Sequence, residues 1–323
     1  MVFAYAALGL VILLLAGDAL VKGAVNLSLR LGVPALIVSL TIVAFGTSAP
    51  ELLISIKAAL DGVPGIALGN VVGSNTANVL LVLGVPALLA VMHTSAHDTR
   101  KSYLQMLAAT GLFIVLAFRG VFDWIAAVIL LAALALMLGD ALRDALAHRR
   151  NGEAVEDLDD PEGADPDMPW WKIVLYLGLG LIGLPLGADL LVDSATEIAV
   201  MFGVPDTVIG LTLVALGTSL PELATTVMAA LRRQADVAIG NVIGSNMFNL
   251  LAIIGVAGLI APMPVDPAFL RFDLWVMLAA SLLLIPFVYL GRDLGRGWGI
   301  TLSVLYIAYI GVVLSMGMGS VAI

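Results

Sequence analysis

Two acids stand inside apolar stretches, each preceded by hydroxyls at the same spacing: Thr47-Ser48-Ala49-Pro50-Glu51 and Thr218-Ser219-Leu220-Pro221-Glu222. An ionisable side chain in the middle of a membrane span costs at least ~2.5 kcal/mol. A protonated or tied acid acting as helix glue explains one such residue, but not a matched pair. Residues i, i+3 and i+4 share a helix face, so the spacing predicts each carboxylate beside its own Thr and Ser hydroxyls. Pro50 and Pro221 lack an N–H, which leaves the carbonyls of Gly46 and Gly217 without their usual partners and opens the helix locally. Carboxylate, hydroxyl and bared carbonyl are the ligands of a hard cation.

A second pair of motifs follows. Gly69-Asn70-Val71-Val72-Gly73-Ser74-Asn75 recurs as Gly240-Asn241-Val242-Ile243-Gly244-Ser245-Asn246. Ser74 and Asn78 are four apart, as are Ser245 and Asn249, so each pair shares a face. Gly69, Gly73, Gly240 and Gly244 have the small-xxx-small spacing that lets a span approach its neighbour closely, which would bring Asn78 beside Glu51. No base stands among these positions to recruit an anion. Ca²⁺ takes six to eight oxygens in adaptable geometry, whereas Mg²⁺ demands a tighter octahedron. Two Glu would neutralise one Ca²⁺, and the same oxygens would serve several Na⁺. The chain has no Cys and 3 scattered His, which removes thiolate chemistry and argues against a soft or borderline metal site. A serine nucleophile lacks a His near the motif. No enzymatic reaction and no cofactor are implied.

The elements that must position these residues are membrane helices. Of 323 residues 61% are hydrophobic and 12% charged, about half the charge of a soluble domain. Apolar stretches fall at about 3–22, 34–59, 66–91, 102–119, 122–142, 172–192, 205–231, 236–261, 270–291 and 298–317, each long enough to cross a bilayer. The first is not a cleavable signal peptide, since it has no basic leader and its pattern recurs later. The net charge of −9 is local: Glu153, Glu156, Asp157, Asp159, Asp160, Glu162, Asp165 and Asp167 sit in one loop, and no basic patch for nucleic acid remains. With the N-terminus outside, twelve bases (Lys22, Arg30, Arg100, Lys101, Arg143, Arg149, Arg150, Lys172, Arg232, Arg233, Arg292, Arg296) fall on the cytoplasmic side and three (Lys57, Arg119, Arg271) outside.

A single offset of 171 positions carries Glu51 to Glu222, Asn78 to Asn249, Val33-Pro34 to Val204-Pro205 and Asp18 to Asp189. Each copy holds five spans, an odd number, so the second enters the membrane from the opposite side. The expected fold is an all-α integral membrane protein of ten helices in two inverted five-helix repeats, residues 1–145 and 171–323. Residues 44–85 and 215–256 carry the motifs, and 146–170 form an acidic cytoplasmic loop. Inverted repeats are a recurring transporter architecture, with the substrate site at the midplane where broken helices meet.

At these residues the chain resembles the cation/calcium exchanger superfamily, and within it prokaryotic sodium/calcium exchangers. The resemblance implies electrogenic exchange of several Na⁺ for one Ca²⁺ by alternating access, the first span of each half sliding past a core of the other eight. It makes Glu51 and Glu222 the shared central ligands. Thr47, Thr218, Ser48, Ser219, Ser74 and Ser245, with the carbonyls of Ala44 and Ala215, would build flanking sites, and Asn78 and Asn249 complete the set. K⁺-dependent members carry Asp at the place of Asn249, so the neutral amide argues against K⁺ dependence. Proton-coupled members have Gly-Asn rather than Gly-Thr-Ser before the acid, which favours Na⁺ over H⁺. The rivals are an H⁺/Ca²⁺ exchanger and a cation channel, whose flux would not depend on a trans ion. Expected partners are Ca²⁺, Na⁺ and the lipid bilayer, with no nucleic acid and no obligatory protein partner. A multi-pass inner or plasma membrane protein, monomeric, with both termini outside, is the expectation. The acidic loop reads as a solvated linker, Trp170 and Trp171 as an interface belt, and Asp18 and Asp189 as capping or hinge residues.

Overall fold

A computed structural model of the chain describes residues 1–93, 99–151, 165–202 and 215–321. The helices run α1 Val2–Leu31, α2 Ala35–Thr47, α3 Ala49–Leu60, α4 Pro64–Leu89, α5 Arg100–Ala117, α6 Trp124–Asn151, α7 Trp170–Met201, α8 Ala215–Thr218, α9 Leu220–Leu231, α10 Ala235–Ile260, α11 Phe269–Tyr289 and α12 Arg296–Val321. Seven of them are long and apolar enough to cross a membrane alone, and α2 with α3 forms a further span bent by 45°. The ninth and tenth places are taken by α5 and by α8 with α9, giving ten spans in two inverted repeats. The acidic stretch from Glu153 to Glu162, His97 and the Val204-Pro205 pair lie outside the described residues. The all-α expectation needs one small addition. Strands β1 (Val121–Phe122) and β2 (Met263–Pro264) pair antiparallel, and a bridge joins Met92 to Leu294.

Burial ranks the helices. In α4 and α10 the apolar window is 78% buried, against 17% in α6 and α12, so the two motif-bearing spans form the centre and the last spans of each repeat face lipid. Large apolar side chains exposed on the outer helices, such as Leu15, Leu136 and Ile307, are where hydrocarbon would sit rather than water.

The first helix of each repeat is longer than hydropathy alone suggests. α1 has 30 residues and α7 has 32, roughly 45 Å at 1.5 Å per residue; the later turns of α1, from Leu20 to Ser28, are largely covered by protein, whereas those of α7 end exposed at Val200 and Met201. Lys22, expected as the last residue of the span, lies well within α1 and over the Tyr176 ring, 4.9 Å from its centroid. α1 ends at Gly32, whose φ of 68° suits glycine, with Val33 N–H returning to the Ser28 carbonyl at 3.0 Å. The two long helices pack antiparallel through small residues. A Cβ on Gly9 would meet Leu191 N at 2.7 Å, and one on Gly180 would meet the Leu20 backbone at 2.8 Å. These contacts are repeat-mates of each other, so the pair carries the same two-fold relation as the sequence.

Candidate cation site

The break between α2 and α3 falls at Ser48 (φ −83°, ψ 4°), and its counterpart between α8 and α9 falls at Ser219 (φ −87°, ψ 1°). Proline is accommodated in the first turn of a helix, so the chain stops before Pro50 and Pro221 and restarts with each as the second residue. Glu51 and Glu222 therefore occupy first turns, where the helix dipole favours an anion. A π-turn over Ser39–Val43 precedes the first break, and others at Asn78–Val82 and Phe248–Ile253 include the two motif amides or begin next to them. Such turns are concentrated at functional sites.

The bend changes which groups meet. Thr47 and Ser48 do not serve Glu51 across a continuous helix face; the break turns them toward the other repeat. Ser48 Oγ donates to Glu222 Oε1 at 3.4 Å. Thr47 Oγ1 lies 3.2 Å from Asn241 Oδ1 and 3.3 Å from Ser245 Oγ. Ser245 also interacts with the Glu222 carboxylate, and the two carboxylates are close enough to repel each other. Both Glu are fully buried, at 0% exposure. Among the described residues, neither oxygen of Glu51 has a hydrogen-bond partner, nor do Glu222 Oε2, Ser219 Oγ, Asn78 Oδ1 or either amide atom of Asn249. Leaving a buried acceptor unpaired costs about 1–3 kcal/mol, and more for a charge. A cluster of this make-up fits a dehydrated cation bound by oxygen. Among the described residues no group of three or more His, Cys, Asp or Glu gathers, here or elsewhere, so any cation at this site would be held by two carboxylates together with neutral oxygens.

Not every expected ligand has the expected freedom. The Ala44 carbonyl accepts the Ser48 N–H at 3.0 Å and the Thr47 hydroxyl at 3.3 Å. Ala215 is the first residue of α8. Ser74 and Thr218 are buried, at 3% and 8%, and line a cavity of about 390 Å³ that the Thr47–Ser245 half does not share. The glycine pairs also differ. Gly244 and Gly240 press on α2, where a Cβ would meet Leu40 O at 2.6 Å and Leu36 O at 3.1 Å, but Gly69 and Gly73 line the cavity and have no described atom within 4 Å of a Cβ.

Four amides escaped the sequence reading as positioning groups. Asn70 Nδ2 donates to the Glu51 carbonyl and to Ser55 Oγ, both at 3.2 Å. Its repeat-mate Asn241 donates to the Glu222 carbonyl at 3.4 Å and to Thr226 Oγ1 at 3.2 Å. Each ties the backbone of a central Glu to the following span. Asn75 and Asn246 join the halves, and Asn246 Oδ1 accepts Asn78 Nδ2 at 3.1 Å. All four stand in the duplicated Gly-Asn motif, which was the signal available.

Asp18 does not cap a helix end, although its place in the sequence suggests that role. It lies well inside α1 and pairs with Arg232 just past the end of α9, both partly buried.

Comparison with known proteins places this arrangement. The family model described as sodium/calcium exchanger protein matches residues 1–139 and 172–315, both repeats without the acidic loop. The chain is 38% identical to the putative antiporter CaxA of Alkalimonas amylolytica, over 93% of this chain and 95% of that protein. It is 36% identical to the sodium/calcium exchanger MaX1 of Methanosarcina acetivorans, over 94% and 95%. The solved structure of the sodium-calcium exchanger NCX_Mj soaked with zero Na⁺ and Ca²⁺ superposes with a TM-score of 0.81 at 32% identity, covering 96% of this chain and 98% of that one.

Proposed function

This chain belongs to the sodium/calcium exchanger protein family, and from that premise we propose that it is a secondary antiporter that exchanges Na⁺ for Ca²⁺ by alternating access. It is a multi-pass membrane transporter and not an enzyme. The observation that carries the reading is the pair Glu51 and Glu222, one from each inverted repeat, both fully buried in one cluster of orphaned oxygens. Two carboxylates balance one Ca²⁺. Na⁺ ions spread over the same carboxylates, hydroxyls and amides cannot coexist with it, and this competition couples the two fluxes.

The site residues are Glu51, Glu222, Asn78, Asn249, Thr47, Thr218, Ser48, Ser219, Ser74 and Ser245, with the Ala44 and Ala215 carbonyls at its flanks. The cavity reaching Ser74 and Thr218 and the close-packed Thr47–Ser245 half suit a protein open on one face at a time. The small-residue seam between α1 and α7 supports their sliding as a unit against the motif-bearing core. The repeats are residues 1–145 and 171–323. With basic residues cytoplasmic, both termini and the cavity face outward, and Ca²⁺ is extruded down the sodium gradient. Neutral Asn78 and Asn249 favour K⁺ independence.

The test is ⁴⁵Ca²⁺ uptake into Na⁺-loaded proteoliposomes. Uptake should require an outward Na⁺ gradient. Uptake driven instead by a pH gradient without Na⁺ would replace sodium with protons, and flux independent of any trans ion would make the protein a channel.

A further inference from the structure

The cavity that ends at Ser74 and Thr218 also holds one carboxylate that the duplicated motifs do not contain. Asp273, on α11, lines it, and Tyr309 of α12 donates its phenol to Asp273 Oδ1 at 3.3 Å. Among the described lining residues Asp273 bears the only formal charge, and much of the remaining wall is apolar, including Ile54, Ile66, Ile310 and Val313. A single charge in a low-dielectric funnel focuses its field along the passage and raises the local concentration of counter-ions.

The acid belongs to one face only. The 171-residue offset that duplicates the central site maps Asp273 onto Ser102 and Tyr309 onto Leu138. Those two residues line a pocket of about 40 Å³ in the first repeat, where the local charge is arranged differently: Lys101 is held by Asp140 at 2.7 Å and Asp144 at 2.5 Å. Asp273 also begins the regular part of α11, after the distorted Phe272 (φ −129°, ψ −64°). An acid there would favour the helix start whether or not it meets an ion, so the test must separate the two roles.

Resting on the antiporter reading, we propose that Asp273 is a capture ligand for the divalent cation on the cavity side, taking it from solvent and passing it to Ser74, Thr218 and the Glu51–Glu222 pair. The experiment measures the half-saturating Ca²⁺ concentration for Na⁺-driven exchange from each face, in right-side-out and inverted membrane vesicles. Asp273→Asn should raise it roughly three- to tenfold at the cavity face and leave the opposite face within about twofold, a sidedness that loss of a helix-start contact would not produce. Asp273→Glu keeps the charge and should restore the cavity-face value. If the Asn variant does not accumulate, Asp273→Ser, neutral but suited to a helix start, is expected to reproduce the one-sided rise. An unchanged value at the cavity face, or equal rises on both faces, overturns the assignment. Absence of Na⁺-dependent exchange in the unaltered protein overturns the antiporter reading instead.

Discussion

Asn75 and Asn246 exchange hydrogen bonds across the two halves of the protein: Asn75 Nδ2 reaches the Asn246 carbonyl at 3.1 Å, and Asn246 Nδ2 reaches the Asn75 carbonyl at 3.4 Å. The repeat offset maps one residue onto the other, so the pseudo-two-fold axis passes between them. The pair holds α4 against α10 where both are most buried. Asn246 does more than its partner, because its Oδ1 also accepts Asn78 Nδ2.

Asn246→Ala should therefore destabilise the protein more than Asn75→Ala. Each buried polar group left unpaired costs about 1–3 kcal/mol, and the Asn246 change strands the Asn78 amide as well as the Asn75 carbonyl. Thermal unfolding in detergent, followed by circular dichroism, ranks the two. An equal or reversed order would mean that the Asn78 contact contributes nothing.

Glu51→Gln and Glu222→Gln should each abolish ⁴⁵Ca²⁺ exchange while the protein still accumulates and elutes as a folded species. Gln keeps the shape and removes a buried charge whose oxygens are largely unpartnered within the protein, so stability is expected to hold or rise. Exchange retained in either variant would remove the shared central site.

Much of this was legible in the sequence because duplication makes a pattern self-checking. The apolar stretches give the ten spans, and one offset then pairs the two acids and, with five spans in each copy, gives the inversion. The direction in which Thr47 and Ser48 point was not legible. Helical periodicity puts them beside Glu51, but the Ser48 break, two residues before Pro50, rotates α2 against α3 and presents both to the second repeat. The unequal roles of Gly73 and Gly244 were hidden for a related reason: identical motifs cannot reveal that one copy lines a cavity and the other a packed interface.

That inequality predicts different outcomes for one substitution. In Gly244→Ala the new Cβ would meet Leu40 O and the Ala44 Cβ, each at 2.6 Å, and overpacking of this kind typically costs about 1–3 kcal/mol. Gly73→Ala projects into the cavity and should leave the unfolding temperature nearly unchanged. Equal losses in the two variants would contradict the asymmetry of the halves.

The Asp18–Arg232 pair joins α1 to the residue just past the end of α9, and its groups are 29% and 20% exposed. Asp18→Asn and Arg232→Gln should each lower stability, and the exchanged pair Asp18→Arg with Arg232→Asp should recover part of the loss. A double-mutant cycle on thermal unfolding should give a coupling near ~1 kcal/mol, the upper end for such pairs, falling as salt is raised. Strict additivity of the two single changes would show that the contact carries no energy.

Ca²⁺ itself should stabilise the fold, because the orphaned oxygens around Glu51 and Glu222 come together only in the native state. A ligand that binds the native form alone adds about 2.7 kcal/mol at a hundredfold excess over its dissociation constant. Unfolding temperature should rise with Ca²⁺ and fall back on chelation. Na⁺ competing for the same oxygens should blunt the Ca²⁺ response, and Glu51→Gln should erase it, since one carboxylate no longer balances a divalent charge. A Ca²⁺ shift that persists in both Glu51→Gln and Glu222→Gln would place the stabilising ion elsewhere, and the coupling of Na⁺ to Ca²⁺ through shared ligands would then lose its structural basis.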